Sequence, residues 1–532
     1  MRYLNARVLA VDGTCALALP SFDRWGGFLL LAAASVLLPT AARAQFTQQG
    51  SKLVGAGAAN GTSGAFQGSS VSISGDGNTA IVGGFDDSNE VGAAWVFTRA
   101  GNVWTQQGSK LVGTGAAGSA RQGGSVAISA DGNTAIIGGV LDSGQSGAAW
   151  VFTRSSGVWA QQGGKLVGKG GAGHQGQGGS VSLSEDGNTA IVGGIFDDSL
   201  TGAAWVFTRT GGVWNQQGGK LVGAGAVGRA LQGVSVSLSS DGNTAIVGGY
   251  GDNGNAGAAW VFTRIGSVWT QEGSKLVGTG AAGSARQGMS VALSGDVNTA
   301  VAGGYADDSL KGAVWVFTRV NGIWSQQGGK LIGADAVNGV LGAFQGYAVS
   351  VSSNGNTAIV GGYPDNNFTG AAWVYTRTDG VWSQLGSKLI GTGASSNAEQ
   401  GVSVSLSSDG NTAIVGGFAD DNLKGAAWVF TRAVSSALAP GEGMLLQFGL
   451  RQNYPNPFNP TTKIQYSIVN RQLTIVKVYD VLGQEVATLV NEVKGPGTYT
   501  VEFDGSNLAS GVYLYRIQAG TFVRTRKLLL LK

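Results

Sequence analysis

GAAWVFTR, residues 92–99, is the first of seven similar phrases along the 532-residue chain. Each copy contains one Trp, and successive Trp residues are 55 positions apart except for one step of 58. They are Trp95, Trp150, Trp205, Trp260, Trp315, Trp373 and Trp428. The chain is therefore a repeat array, and its fold follows from the structure of one unit.

Each unit reads as four short strands. In the first unit, SVSIS (residues 70–74) alternates in polarity, and the turn GDGN leads directly into TAIVGG (residues 79–84), which predicts a β-hairpin. GAAWVFTR supplies the third strand and residues 103–112 the fourth. The Asn of the turn recurs in every unit, whereas the Gly becomes Val297 in the fifth. We therefore expect the Asn to hold the left-handed backbone position.

The two ends of the array complement each other. A second Trp follows the first by nine residues in six units, as Trp104 follows Trp95, but none follows Trp428. The missing phrase lies at the other end, where FTQQGSKLVG begins at Phe46. Four strands per unit suit a propeller blade better than a solenoid coil. We predict an all-β fold: a seven-bladed β-propeller over residues 45–434, closed by the mature N-terminal strand.

The N-terminus has the pattern of an export signal. Arg2, Arg7 and Arg24 precede an apolar stretch, residues 28–38, which leads to Ala42-Arg43-Ala44. This predicts a signal peptide over residues 1–44 with cleavage after Ala44. The apolar run is too short for a permanent membrane span, so we expect no transmembrane segment in the mature chain.

Composition argues against several classes of function. The formal net charge is +3 and no Lys/Arg run stands out, so we expect no nucleic-acid partner. The only His, His174, lies in a Gly-rich loop, and the only Cys, Cys15, lies in the predicted signal peptide. The two carboxylate positions that recur hold Asp in seven units and in six, so no blade shows a distinct acid–base pair. We therefore predict no catalytic residues and no enzymatic activity.

The repeated phrases WxQQGxKLVG, QGxSVSLS, NTAIVGG and GAAWVFTR resemble FG-GAP repeats, the units of integrin-α-like propellers. The resemblance covers all seven units and implies a binding or adhesion propeller. The Phe-Gly pair of the family appears here as Gln-Gly, for example Gln67-Gly68. The DxDxDG-type loop of calcium-binding members does not occur, so no cofactor is predicted, and only weak calcium binding stays open.

One acidic position never changes on the face formed by the loops after the second and fourth strands. It lies eight residues before each Trp of the GAAWVFTR phrase, at Asp87, Asp142, Asp197, Asp252, Asp307, Asp365 and Asp420. One interpretation is a ring of weak cation or polar-ligand sites. The other is that each Asp accepts backbone N–H bonds and shapes its loop, which we favour because calcium prefers six or more oxygen ligands. The two Trp sets are interpreted as packing residues rather than sugar platforms.

The C-terminal part differs from the repeats. After a linker (residues 435–449), short alternating strands predict a small β-sandwich over residues 450–532. NYPNPFNPTTKI, VYDVLGQEVATLV, SNLASGVYLYRI and KLLLLK resemble the type A C-terminal sorting domain of the type IX secretion system, an Ig-like domain. The residues carrying the resemblance include Asn453, Pro455, Asn456, Pro457, Gly511, Tyr513, Lys527 and Lys532. The resemblance implies the type IX machinery as a partner.

Together these features predict a secreted or outer-membrane surface-attached protein that binds an extracellular polysaccharide or another surface protein. Loops that vary over a constant scaffold favour a binding role. Two alternatives stay open: a polysaccharide-degrading enzyme on a propeller scaffold, and a passive surface coat protein.

Overall fold

The computed structural model describes residues 45–59, 64–339, 341–395, 397–432, 449–468, 471–495, 497–520 and 522–532. The predicted signal peptide, its cleavage site after Ala44 and residues 435–448 of the predicted linker lie outside these ranges. Within these ranges, no helix has the length and hydropathy that a membrane span requires.

Seven four-stranded antiparallel sheets, here called blades 1 to 7, correspond to the seven repeats. In blades 1 to 6 the strands lie side by side in chain order. The strands of blade 1 are Gln67–Ile73, Thr79–Gly84, Ala93–Ala100 and Val103–Gln106, and those of blade 2 are Gln122–Ile128, Thr134–Gly139, Ala148–Ser155 and Val158–Gln161. Blade 3 contains Gln177–Leu183, Thr189–Gly194, Ala203–Thr210 and Val213–Gln216, and blade 4 contains Ser235–Leu238, Thr244–Gly249, Ala258–Ile265 and Val268–Gln271. Blade 5 contains Ser290–Leu293, Thr299–Gly304, Ala313–Val320 and Ile323–Gln326, and blade 6 contains Ala348–Val351, Thr357–Gly362, Ala371–Thr378 and Val381–Gln384.

Blade 7 takes one strand from the other end of the chain. It contains Ser403–Leu406, Thr412–Gly417, Ala426–Arg432 and the N-terminal strand Phe46–Gln48. Phe46 pairs with Arg432, and Leu53 forms a further bridge to Ala427. A parallel bridge between Gly425 and Gln67 joins blade 7 to blade 1, as Gly92 and Gln122 join blades 1 and 2. The N-terminal strand thus completes the last sheet as predicted, and the array is a seven-bladed propeller.

The second strand of each blade is buried along its whole length, which matches its unbroken apolar run. In blade 1, Val82 of this strand lies opposite Trp95 of the third strand, and Trp95 is fully buried. A Cβ on Gly83 would lie 2.1 Å from the carbonyl oxygen of Gly123 in blade 2. The strand therefore needs glycine here, because the blades approach through their backbones.

The first strands of neighbouring blades line the propeller axis. The Val126 N–H donates to the Ser70 hydroxyl at 2.9 Å, and the Ile128 N–H donates to Ser72 at 3.2 Å. The fourth strands form the outer edge, where Val103 is 64% exposed. The loops that enter the first strands and leave the second strands therefore surround the axis on one face, here called the upper face.

Our expectation for the turn between the first and second strands is wrong. The left-handed residue is Gly77 in blade 1 (φ 70°) and Val297 in blade 5 (φ 66°), not the Asn that follows. The Asn78 N–H instead donates to the Asp76 carboxylate at 2.9 Å, and its side-chain oxygen accepts a bond from Arg99 Nε at 3.0 Å. These hydrogen bonds explain why the Asn recurs, while the turn forces even a β-branched residue into the left-handed region.

A short left-handed turn follows the second strand in every blade. In blade 1, Ser88 (φ 56°, ψ 46°) and Asn89 (φ 57°, ψ 61°) adopt left-handed helical angles. The four-residue segments are Asp87–Glu90, Asp142–Gln145, Asp197–Leu200, Asp252–Asn255, Asp307–Leu310, Asp365–Phe368 and Asp420–Leu423. Each begins with the invariant Asp, so this Asp stands at the point where the chain turns across the upper face.

The C-terminal part consists of two antiparallel sheets. In spatial order, one contains Gly449–Leu450, Thr461–Ile468 and Gly497–Asp504. The other contains Glu485–Lys494, Gln472–Tyr479, Gly511–Ala519 and Phe522–Leu530. Both sheets contribute to one apolar core that includes Tyr466, Phe503, Tyr515 and Leu528. Two sheets around a shared core form the predicted β-sandwich.

Candidate functional site

The seven invariant Asp residues are buried and paired with lysines. In blade 1, Asp87 Oδ1 accepts the Ala59 N–H at 2.8 Å, and Oδ2 accepts bonds from Lys110 Nζ at 2.5 Å and the Ser88 hydroxyl at 2.9 Å. The other pairs are Lys165–Asp142, Lys220–Asp197, Lys275–Asp252, Lys330–Asp307, Lys388–Asp365 and Lys52–Asp420. We call this set the Lys–Asp ring.

Both oxygens of each ring carboxylate are thus engaged by the protein. The Asp side chains are at most 1% exposed, and the lysine supplies the positive charge that a buried carboxylate needs. Burial raises the pKa of Asp365, and the hydrogen bond from Lys388 opposes this increase. In the described part of the chain, no group of three or more His, Cys, Asp or Glu side chains could hold a metal ion. This geometry supports the loop-shaping interpretation.

The two Trp sets have different environments. Trp95 and its equivalents are fully buried, and the indole N–H of Trp95 donates to the Ala56 carbonyl at 2.9 Å. The second set is partly buried: Trp104 donates to Gln49 at 3.0 Å, and the Arg99 guanidinium lies 5.4 Å from its ring centroid. The first set is enclosed in the blades, and an arginine lies over five of the six Trp residues of the second set.

Two variable positions in each blade meet beside the axis on the upper face, and neither was predicted from the sequence. The first position, just before the Gln-Gly pair, holds Phe66, Arg121, Gly176, Leu231, Arg286, Phe344 and Glu399. The second, just after the second strand, holds Phe85, Val140, Ile195, Tyr250, Tyr305, Tyr363 and Phe418. Aromatic residues at five of the seven second positions were the available signal.

Residues at the two positions interleave around the ring. The Phe66 ring lies between Phe85 and Phe418, with centroid distances of 4.9 and 5.6 Å. Phe344 lies in the same way between Tyr305 and Tyr363, at 5.2 and 5.5 Å. Phe66 and Phe344 thus each contact second-position residues from the preceding blade and from their own blade.

Tyr347 adds an eighth ring to this assembly. Its centroid is 5.7 Å from that of Tyr305 and 4.8 Å from that of Tyr363, both in edge-on geometry. We define the aromatic arc as Tyr250, Tyr305, Phe344, Tyr347, Tyr363, Phe418, Phe66 and Phe85, all of which are partly exposed. The arc extends over blades 4, 5, 6, 7 and 1, and the remaining sector carries Val140, Gly176, Ile195 and Leu231 instead.

The two Phe residues at the first position lie in loops that are longer than their equivalents in the other blades. Phe66 and Phe344 both lie in the phrase GAFQG. In these loops the bond from a backbone N–H to the buried Gln spans 12 residues, as for Gly55 and Gln67, whereas it spans 9 elsewhere, as for Gly113 and Gln122. The insertions therefore add residues to the loops without moving the Gln that anchors their ends.

Three charged side chains adjoin the aromatic arc. The Arg286 guanidinium lies 5.8 Å from the Tyr250 ring centroid and 5.3 Å from that of Tyr305, and it donates to the Tyr305 hydroxyl. Arg121 lies 5.7 Å from the Phe85 ring and forms an ion pair with Glu90. Burial raises the pKa of the third, Glu399, to about 6.

Burial also raises the pKa of two tyrosines of the arc. It raises the pKa of Tyr347 to about 12, with smaller contributions from Tyr363, Tyr305 and the Glu399 carboxylate. The pKa of Tyr363 is raised by burial and by the nearby Glu399. These two phenols are therefore neutral at physiological pH, and they offer hydroxyl groups beside apolar ring faces. Such a surface can stack against a flat ligand and hydrogen-bond its edge.

Blade 1 carries an acidic pair near the end of the arc. Burial raises the pKa of Asp86, the carboxylate of Glu90 raises it further, and Arg121 opposes the increase. The other blades have Leu141, Phe196, Gly251, Ala306, Pro364 and Ala419 at the position of Asp86. This departure of one blade from the repeat was not predicted from the sequence.

At the opposite end of the axis, one carboxylate of blade 3 is bonded to blades 6 and 7. The Glu185 side chain accepts bonds from the hydroxyls of Ser353 at 2.6 Å and Ser408 at 3.3 Å. It borders a cavity of about 120 Å³ lined by one aliphatic side chain from each first strand.

His174 lines a cleft of about 410 Å³ with Phe196 and Asp198, at the edge of the upper face.

The sorting-domain residues hold the proline-rich segment against the sandwich. The Asn453 side chain donates to the Pro455 carbonyl at 3.0 Å and to the Thr462 hydroxyl at 2.9 Å, while Asn456 Oδ1 accepts the Leu529 N–H at 2.8 Å. The bonds preceding Pro455 and Pro457 are cis. The bond between Asn456 and Leu529 fixes this segment to the last strand of the chain.

The remaining residues of the set lie on the last two strands and at the C-terminus. Gly511 begins its strand, and the Tyr513 hydroxyl donates to the Ala509 carbonyl at 2.9 Å. The Lys527 carbonyl accepts a bond from Gln452 at 2.6 Å, and Lys532 Nζ donates to the Ser506 carbonyl at 2.5 Å. These contacts give the signature residues a structural role within the sandwich.

The fold therefore defines a propeller protein with a separate C-terminal sandwich. Residues 452–531 match the family described as secretion system C-terminal sorting domain. The chain thus carries a type IX sorting domain, which directs export to the cell surface or secretion and implies interaction with that secretion machinery. No curated protein matches the sequence.

Solved structures with a similar chain path include several propellers and enzymes. Hydrazine synthase from Kuenenia stuttgartiensis is 13% identical, with a TM-score of 0.42, over 70% of this chain and 97% of that chain. The GH74 xyloglucanase from Xanthomonas campestris is 12% identical, with a TM-score of 0.43, over 90% and 75%. The periplasmic gluconolactonase of Pseudomonas aeruginosa is 16% identical, with a TM-score of 0.40, over 66% and 96%. At these values the similarities support no functional inference.

Proposed function

We propose that the exported propeller is a non-enzymatic binding module and that an extracellular polysaccharide binds on its aromatic arc. The observation that carries this proposal is the arc itself, a row of partly exposed rings beside the axis that breaks the seven-fold repeat. Packing alone would not require aromatic residues at these positions in five blades and none in blades 2 and 3.

The chemistry of the aromatic arc suits a sugar chain better than a protein surface. Sugar rings present flat C–H faces bordered by hydroxyl groups, and the arc presents aromatic faces bordered by phenols, guanidinium groups and a carboxylate. A row of rings can contact successive sugar units, as an extended chain requires. The blades supply a rigid support, because the inner strands are bonded to one another around the axis.

The test is binding of the purified full-length chain to a glycan array, compared between Phe344→Ala, Phe66→Ala and Val140→Ala. Val140 occupies the second position on the side of the ring without aromatic residues, so it is the matched control. Loss of one stacked ring should weaken binding roughly 3- to 10-fold. Val140→Ala should bind as the parent does. An affinity that is the same in the parent and in both Phe variants would contradict the assignment of the binding site to the arc.

One observation favours the enzyme alternative. Asp86 and Glu90 provide two carboxylates close to Arg121, and glycoside hydrolysis commonly uses such a pair. Release of reducing ends from a bound polysaccharide, abolished by Asp86→Asn with binding retained, would replace our proposal with that alternative. Capture of a surface protein in place of any glycan would also overturn it, and absence of every ligand would favour the coat protein.

A further inference from the structure

Of the charged residues that adjoin the aromatic arc, Arg286 has the best-defined geometry. Its side chain lies between the rings of Tyr250 and Tyr305, and one guanidinium nitrogen donates to the Tyr305 hydroxyl. Its backbone is fixed as well, because its N–H donates to the Asn255 carbonyl at 2.9 Å and its carbonyl accepts the Met289 N–H at 3.3 Å. The guanidinium is therefore held in place before any ligand arrives.

The charge of Arg286 is not neutralised by the protein. Among the described residues, no carboxylate forms an ion pair with it, and its hydrogen-bond partner is a phenol. Arg121, at the other end of the arc, is paired with Glu90, and Arg319 is paired with Glu272 at 2.6 Å. Arg286 thus stands out as a partly exposed cation with unused donors beside the aromatic rings.

We propose that the polysaccharide is acidic and that Arg286 binds its carboxylate or sulfate groups; this inference rests on the proposed function of the arc. A guanidinium presents parallel N–H groups that match the two oxygens of a carboxylate or sulfate, and stacking between aromatic rings sets its plane. A sugar unit stacked on Tyr305 or Phe344 would place one of its ring substituents where it could accept hydrogen bonds from the Arg286 guanidinium. The end of the arc near Asp86 and Glu90 is acidic and would disfavour a second anionic group.

The experiment compares charged and uncharged forms of the same backbone. Binding of the full-length chain is measured for polygalacturonate against its methyl ester, which tests carboxylates, and for κ-carrageenan against agarose, which tests sulfates. The variants are Arg286→Gln, Arg286→Lys and Arg229→Gln. Arg229 is an exposed cation in a loop of the same face, so its removal controls for overall charge.

We expect the parent to prefer the charged member of one pair by about tenfold, the usual scale of a hydrogen bond to a charged group. Arg286→Gln should abolish this preference while binding of the neutral member persists, and Arg286→Lys should retain only part of it. Arg229→Gln should leave it unchanged. Thermal melting of each variant checks that the fold is intact.

Two results would overturn the inference alone. Equal binding of the charged and neutral members would show that the arc binds sugar without distinguishing charged from neutral polysaccharides. A preference that survives Arg286→Gln would assign the charge recognition to another residue. If the parent bound none of the four probes and no other glycan of the array, the proposed function itself would be wrong.

Discussion

Phe46 lies opposite Arg432 in an antiparallel pair, so the first strand of the propeller completes the sheet formed by the last repeat. Phe46 and Leu53 are 7% and 5% exposed, and Lys52 pairs with the buried Asp420 of the same blade. The N-terminal segment thus contributes a strand edge, two apolar side chains and a counterion to blade 7.

Deletion of residues 45–54 should strongly destabilise the propeller. The two apolar side chains contribute about 1.5–3 kcal/mol each, and an unpaired Asp420 costs about 3–5 kcal/mol more. Differential scanning calorimetry should show a lower and broader transition. The point variants Leu53→Asp and Val54→Asp provide a matched pair, because Val54 is 46% exposed and should tolerate the change. Unchanged melting of the truncated chain would rule out a role for strand completion in stability.

The Lys–Asp ring should be structural. Lys330→Met removes the partner of Asp307, whose side chain is 0% exposed, and should cost about 3–5 kcal/mol. Lys311→Met in the same blade removes an exposed pair with Asp308 and should cost less than about 1 kcal/mol. Guanidinium unfolding measures both. Calcium and chelator should leave the midpoint of the parent unchanged, and a calcium-dependent increase would instead support cation sites at the ring Asp residues.

Glu399 should make the stability of the propeller depend on pH. Burial raises its pKa from an ordinary 4.5 to about 6, so the folded state binds the proton more tightly than the unfolded state. Its contribution to stability is fully present below the unfolded pKa and is lost as pH increases through 6. Glu399→Gln should therefore melt higher than the parent at pH 8, and the difference should shrink below pH 4.5. A difference independent of pH would contradict this assignment.

The repeat pattern was enough to predict the blades, because each strand reflects local alternation and each blade repeats the same hydrogen bonds. The role of Phe46 was also predictable, since the array lacked one strand at one end and carried one in excess at the other. The Asp of the Lys–Asp ring was found, but its lysine partner 23 residues later was not, because two repeated residues show no sign of contact in the sequence.

The aromatic arc was missed for a geometric reason. Phe344 and Tyr305 contact each other only because the end of one strand and the start of another converge beside the axis. The individual loops look like unrelated variation when they are compared copy by copy. Only the ring arrangement brings their variable positions into one surface, and this information lies in the closure of the propeller rather than in any single repeat.

Val297 offers a reciprocal test of how the turns between the first and second strands are built. It adopts φ 66°, whereas the equivalent residue in blade 4 is Gly242 at φ 66°. A left-handed conformation costs a non-glycine residue about 1–2 kcal/mol, and glycine loses part of this advantage through its greater freedom in the unfolded chain. Val297→Gly should therefore stabilise the propeller by about 1 kcal/mol. Gly242→Val should destabilise it by at least as much, because a Cβ there would lie 2.8 Å from Thr189 Oγ1. Equal and opposite shifts in denaturant midpoint would establish that the turns are interchangeable. A destabilising Val297→Gly would mean that the valine makes compensating contacts.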